Sequence, residues 1–291
     1  MVITSPPVLN LRLNSRPDSA GLVRAVLGGL ATPLALRPEL VNDLKTAISE
    51  ACNNAVEHAY HGQSGAIAVH VDAGPESLKA SVRDWGSAFR QLAPAGDHMG
   101  VGLPVISALA DRTEFLTAPG RGTEVRMAFD IRHDRRRDGL LARIAEREDL
   151  EAALWRRGLT GDVVVTLLSR ELLPGVLEPL SDALAARARF SLERFRDVYL
   201  VTRAVVAHVA SAAAGSRVSF ALSAGDQRLE LVIGPLRSGA GRRLRAVADI
   251  DPPEAHIARL ADEAVYESVD TAELLRVVVR DADRIPRAVP G

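Results

Sequence analysis

Apolar residues recur at helical spacing through residues 41–59. Val41, Leu44, Ile48, Ala51, Ala55 and Ala59 fall on one face at about 100° per residue, while Glu50, Asn53, Asn54, Glu57 and His58 gather on the other. The run ISEACNNAVEHAY, residues 48–60, is therefore predicted to be one amphipathic helix lying on a core. Ahead of it, Leu22, Val23, Val26 and Leu30 mark a shorter helix that follows Ser15 and ends before PLALRPE. Behind it the period changes. Leu78, Ala80 and Val82 alternate, which predicts a strand ending at Asp84, with Gly86 opening a turn. Gly100 and Gly102 precede Leu103, Val105, Ile106 and Leu109, a glycine-rich loop running into an apolar helix. A Gly-Thr turn at Gly122 and Thr123 then enters a strand with Val125, Met127 and Phe129 on one face. These elements predict an α/β fold, specifically an α+β two-layer sandwich: an edge strand, two helices, then mostly antiparallel strands with one more helix.

The same pattern returns 154 residues later. Residues 9–23 fall on residues 163–177, so that Ser15 and Arg16 meet Ser169 and Arg170, and Asp43 meets Asp197. After a gap of three residues, ESLKASV falls on QRLELVI (residues 227–233) and ISALAD falls on IARLAD (residues 257–262). A tandem duplication is expected, with residues 1–133 as the first domain, 134–160 as a linker or connecting helix that includes Trp155, and 161–291 as the second domain. The tail DRIPRAVPG is expected to fray.

Composition adds limits. The chain has 291 residues, 47% hydrophobic and 25% charged, enough for two domains with ordinary cores. A single cysteine, Cys52, excludes an internal disulfide framework, and its place on the apolar side predicts a core residue. The formal net charge of −1 argues against nucleic acid as a direct partner. The basic cluster at residues 132–137 falls where a linker is expected, and reads as solvated linker in preference to a docking site. The start has neither a charged n-region nor an apolar h-region, and no later run reaches the ~20 apolar residues of a membrane span. A cytoplasmic protein without membrane contact is expected.

The outer stripe of the long helix has two amides, two carboxylates and no lysine or arginine. It is either a solvated face or a set suited to a hydrated divalent ion and a polyphosphate. The helix start after Gly102 would present free backbone N–H groups to phosphate. Each glycine motif alone is weak, because turns use glycine anyway.

Taken in order, a helix with Glu50 and Asn54, a strand ending in Asp84-x-Gly86, Gly100-x-Gly102 before a helix, and Gly122-Thr123 before a strand resemble the GHKL superfamily of ATPases with its Bergerat ATP-binding fold. EACNNAVEHAY is most similar to the anti-sigma-factor serine/threonine kinases of bacterial stress-response and sporulation switches. The resemblance covers residues 8–131. It implies ATP or ADP and Mg²⁺ as cofactors, with Asn54 as the Mg²⁺ ligand and Glu50 as general base or orienter of the attacking hydroxyl. Asp84 would hydrogen-bond the adenine amino group, Gly86 would let the backbone approach the base, and Thr123 would sit near the adenine end. Gly100, Val101, Gly102 and Leu103 would form the phosphate side, with a lid between Phe89 and Gly100. His58 would either contact nucleotide or cap the helix end. In place of a second glycine in the first glycine box stands Ala88, which is compatible with nucleotide binding but stiffens the lid.

The implied activity is phosphorylation of a serine on a STAS-domain anti-anti-sigma protein, with a sigma factor as the sequestered partner. The alternative is a non-catalytic, nucleotide-gated binding module of anti-sigma type. A third reading, the ATPase part of a histidine kinase, would need an upstream helix with a phospho-accepting histidine. In the second copy Glu50, Asn54, His58 and Asp84 are replaced by Ala204, His208, Ala212 and Pro235, and Gly239 and Gly241 are followed by Arg242, Arg243 and Arg245. A degenerate domain without nucleotide motifs is expected. Kinases of this type resemble homodimers, so the second domain would either replace the dimer partner as an intrachain pseudo-dimer or leave the chain to form a homodimer.

Overall fold

A computed structural model of the chain describes residues 8–60, 63–74, 76–86, 102–118, 120–131, 159–241 and 255–281. The first half runs β1 (Leu9–Asn14), α1 (Ser19–Leu30), α2 (Pro38–Asn54), β2 (Ala66–Ala73), β3 (Ser77–Asp84), α3 (Gly102–Leu109), β4 (Arg112–Ala118) and β5 (Gly122–Asp130). The second runs β6 (Val163–Leu167), α4 (Leu173–Arg187), α5 (Leu192–Ala212), β7 (Val218–Gly225), β8 (Arg228–Arg237), α6 (Ala255–Leu260), β9 (Glu263–Val269) and β10 (Ala272–Arg280). The order of elements is the same in both, and the offsets read from the sequence carry each element of the first half onto its counterpart.

All the strands join one ten-stranded sheet in the order β4-β5-β3-β2-β1-β6-β7-β8-β10-β9, which reads symmetrically outward from the β1–β6 junction. Here the sequence expectation needs correction. Each half was expected to begin with an edge strand, but β1 and β6 pair antiparallel, with Leu9 opposite Leu167, Leu11 opposite Val165 and Leu13 opposite Val163. Alternation fixes which face of a strand is buried but says nothing of its neighbour. An open edge leaves a row of N–H and C=O groups without partners, and at this position each half supplies the other's. The edges of the sheet are instead β4 and β9.

The helices cover the sheet face that carries Leu9, Leu11 and Leu13, and a single apolar core runs through both halves, including Leu27, Leu44 and Ile48 from one and Leu177, Leu180 and Val205 from the other. Helices α1 and α4 meet backbone to backbone at Gly29 and Gly175. A Cβ built on Gly29 would lie 1.5 Å from the Gly175 carbonyl oxygen, and one on Gly175 would lie 2.3 Å from that of Gly29. Just before β6, Asp162 accepts hydrogen bonds from Asn14 Nδ2 (3.3 Å), Arg187 Nη2 (2.5 Å) and the Ala224 amide (2.9 Å), and Arg187 also reaches Asp18 (3.4 Å). These groups are partly solvated, so the network orients the junction more than it stabilises it.

The run predicted as one helix is also divided. Its α-helical part ends at Asn54, and Ala55–Ala59 form a π-helical turn. That turn packs against β3: a Cβ on Gly86 would sit 2.0 Å from the Ala59 carbonyl oxygen. Tyr60 closes it, donating its hydroxyl to Ala66 O (2.5 Å) and accepting from the Trp85 amide (2.9 Å). The expected connecting helix with Trp155, the basic cluster, the lid with Ala88, Gly100 and Val101, Arg242, Arg243 and Arg245, and the tail lie outside the described residues. No described helix is long and apolar enough to cross a membrane.

The junction predicts a contrast between two glycines of α1. Gly29→Ala should cost about 1–3 kcal/mol or more, because the added carbon meets rigid backbone. Gly21→Ala, with nothing within 4 Å of the added carbon, should be neutral or gain up to about 1 kcal/mol from helix propensity. Urea denaturation of the two variants checks this, and equal midpoints would contradict the close junction.

Candidate nucleotide site

The candidate site is assembled from the end of α2, its π-helical turn, the end of β3, the start of α3, and strands β4 and β5. Its pocket encloses about 410 Å³ of free space, open mouth included, and is lined by Asn54, His58, Asp84, Leu103 and Thr123 among apolar walls from Ala51, Ala55, Ala59, Val82, Phe115 and Val125. The structure thus brings together residues as far apart in the chain as Ala51 and Val125.

At one end stands Asp84, 6% exposed. Its Oδ1 accepts from the Gly86 amide (2.9 Å) and the Thr123 amide (3.3 Å), which leaves Oδ2 for a donor on a ligand. Burial pushes its pKa above the ordinary 3.8, against the opposing pull of those two amides and of Arg83. Two glycines make this corner possible. Gly86 packs on Ala59 as described, and Gly122, at φ +77°, has room for no side chain, since a Cβ there would lie 2.1 Å from Asp84 O.

At the other end, Glu50 and Asn54 stand one helical turn apart beside the first residue of α3. A Cβ on Gly102 would be 3.2 Å from Asn54 Nδ2 and Oδ1 and from Glu50 Oε2. A carboxylate, an amide and a free helix N-terminus therefore share one spot, although in sequence Gly102 lies far from both side chains. No cluster of three or more His, Cys, Asp or Glu suited to a metal occurs among the described residues. A cation held only by protein carboxylates does not fit. A Mg²⁺ ion that keeps several waters and takes one or two side-chain oxygens plus phosphate oxygens does fit. His58 lines the pocket but its side chain is 58% exposed, 3.8 Å from Glu57. Cys52 is buried and its thiol pushed up to about 12, so it is a core residue and no nucleophile.

Sequence reasoning missed part of the wall. Ala51, Ala55 and Ala59 were assigned to the core face only, whereas they also line the pocket. Phe115 carried no signal, because β4 shows no clean alternation: most of its residues are exposed.

The corresponding space in the second half is filled from within. His208 takes the place of Asn54 and Tyr266 that of Phe115. The Tyr266 hydroxyl and His208 Nε2 lie 2.9 Å apart, with the rings edge to face. Glu273, which accepts from the Gly239 (2.8 Å) and Gly241 (3.1 Å) amides, stands at the position of Thr123, and Ala204, 1% exposed, replaces Glu50.

Comparison with known proteins bears on the first half of the chain. Residues 13–129 match the family described as histidine kinase-like ATPase domain. Residues 13–129 are thus similar to a domain of this family. The domain is 34% identical over 87 residues to the serine-protein kinase RsbW of Bacillus velezensis, an alignment covering 30% of this chain and 54% of the kinase. It is 28% identical over 138 residues to the anti-sigma F factor of Caldanaerobacter subterraneus, covering 44% of this chain and 96% of that protein. A solved structure of the RsbU and RsbW domains of Rv1364c from Mycobacterium tuberculosis aligns with 43% of this chain and 31% of that chain at 27% identity, with a TM-score of 0.34. The chain spans about half the length of the first RsbW relatives it matches. The ATPase domain has the GHKL-type α/β architecture, and ATP is the nucleotide its family implies.

Burial of Asp84 sets a pH dependence. Because its pKa is raised in the folded state, the carboxyl's contribution to stability is complete below about 3.8 and is lost as pH rises through the raised value. Asp84→Asn keeps an acceptor oxygen for both amides and does not ionise. Its stability relative to wild type should therefore improve across that interval, as urea midpoints at a series of pH values would show. A difference independent of pH would contradict it.

Proposed function

We propose that the chain is an ATP- and Mg²⁺-dependent protein serine/threonine kinase of anti-sigma-factor type. The observation that carries this reading is the meeting of Glu50, Asn54 and the α3 N-terminus at Gly102, beside the pocket that Asn54 lines together with Asp84. Asp84 Oδ2 accepts from the adenine amino group, with Gly86 and Thr123 fixing the carboxylate. Asn54 holds Mg²⁺, which when bound supplies neutralisation of phosphate charge. The free amides that open α3 take the phosphate oxygens, together with Gly100, Val101 and Leu103. Glu50 orients the acceptor serine hydroxyl and takes its proton as the oxygen attacks the γ-phosphorus, and the bond to the β,γ-bridging oxygen breaks. His58, exposed at the mouth, contacts the nucleotide from the helix end.

The acceptor is a serine of a STAS-type anti-anti-sigma protein, and the protein held in the nucleotide-bound state is a sigma factor, in the cytoplasm. The names of the RsbW and anti-sigma F relatives support this, as does the ATPase domain itself. Residues 161–291 form a degenerate duplicate of the domain in residues 1–133, joined by 134–160, and serve as its intrachain partner.

Incubation with labelled ATP and a STAS-domain acceptor tests the reading. Wild type should label serine. Glu50→Ala should lose about two to four orders of magnitude in transfer, the range of general-base catalysis, while still binding ATP. Asp84→Asn should lose ATP binding while remaining folded. Transfer by Glu50→Ala at the wild-type rate would remove Glu50 from its role, and ATP binding without transfer by the wild type would reduce the protein to a nucleotide-gated module.

A further inference from the structure

The ten-stranded sheet has two open edges, and they differ in charge. On the first, β4 presents Phe115 and Leu116, 37% and 36% exposed, in a strand whose outer backbone groups have no neighbouring strand among the described residues. Beside it runs a groove enclosing about 790 Å³, solvent side included, whose lining includes Phe115, Leu116, Arg83, Arg121 and Glu124. The acids here are already matched: Arg126 pairs with Glu124 at 3.0 Å and with Glu114 at 3.4 Å. Arg83 lies over the Trp85 ring at 5.3 Å, and neither it nor Arg121 has a carboxylate partner among the described residues. The groove therefore carries two guanidinium groups without a direct carboxylate contact among the described residues, Arg83 having Asp84 within electrostatic reach, next to an apolar edge strand.

The other edge is an internal control. At the counterpart positions Arg83 is replaced by Gly234, Arg121 by Thr271, Arg112 by Glu263 and Leu116 by Glu267. The arginines on that side are consumed, Arg276 by Glu267 and Glu230, and Arg280 by Glu263. The two edges share strand order and antiparallel pairing but differ in charge and in the exposed Leu116, so electrostatics contributes to any selection between them.

We propose that β4 and the Arg83–Arg121 groove form a docking site for an acidic, extended segment of a partner protein. The segment adds a strand antiparallel or parallel to β4 through main-chain hydrogen bonds. Its side chains alternate between the two faces of the sheet: carboxylates on the face shared by Leu116, Glu124 and Arg83, toward Arg121, and apolar groups on the face of Phe115. The free strand edge and the apolar side chains favour a polypeptide over a nucleic acid, which would take the guanidiniums but leave the edge unpaired. Phe115 lines both this groove and the nucleotide pocket, so the docked segment shares a wall with the site, yet the docking stands whether or not the chain transfers phosphate.

Fluorescence anisotropy with a labelled peptide of alternating glutamate and valine, matched to the seven residues of β4, tests the proposal. The full-length chain should bind it and should not bind the lysine–valine peptide. Arg83→Glu/Arg121→Glu should weaken binding of the acidic peptide by about tenfold or more and admit the basic one. Leu116→Pro should abolish binding of the acidic peptide, and Val265→Pro on the opposite edge should leave it unchanged. Unaltered melting profiles would show that the variants remain folded. Three results would overturn the proposal: equal binding of both peptides, undiminished binding by the charge-reversed variant, or tighter binding of single-stranded oligothymidylate than of the acidic peptide. A concentration-dependent dimer in sedimentation that Leu116→Pro dissolves would overturn it as well, giving the edge to a second copy of the chain.

Discussion

The antiparallel pairing of β1 with β6 is the contact on which the rest of the molecule depends. Without it each half would carry an open strand beside a half-covered row of leucines. With it, Leu9, Leu11 and Leu13 and their counterparts Val163, Val165 and Leu167 belong to a single core. The pairing also brings α1 and α4 together so closely that only glycine fits at the crossing. The nucleotide pocket lies toward the far end of the sheet from this junction, among β3, β5 and β4. Its walls are held by a scaffold that the second half completes but does not enter.

The two halves show what a site costs. In the second, the positions of Phe115 and Asn54 are taken by Tyr266 and His208, which partner each other. In the first, the pocket is left open and lined by a desolvated carboxyl, Asp84, whose raised pKa measures the penalty of keeping it there. Two glycines, Gly86 and Gly122, give up side-chain packing so that backbone can come within reach of a ligand. Such local departures from good packing are expected at functional positions and nowhere else.

Much of this was legible in the sequence. The helical stripe with Glu50 and Asn54, the strand ending at Asp84 and the helix at Gly102 each follow from periodicity and glycine placement, and they stand where those patterns put them. What periodicity could not provide was adjacency. It gave no sign that β1 meets β6, since alternation names a buried face and not a neighbour. Nor did it mark Phe115 as pocket wall, because an exposed edge strand has no regular pattern. Ala51, Ala55 and Ala59 were read as core from their spacing. Their small size has a second consequence, the pocket, visible only once Gly86 is packed against them. The change from α- to π-helix after Asn54 likewise had no sequence mark, as it depends on the strand against which the turn lies.

The central claim is that one half of a duplicated scaffold holds nucleotide and the other, filled by its own side chains, does not. Calorimetric titration of ATP with Mg²⁺ into the full-length chain tests it most directly. The account predicts a single site per chain. Two sites would mean that Tyr266 and His208 do not close the second pocket, and no binding would mean that Glu50, Asn54, Gly102 and Asp84 meet without forming a nucleotide site.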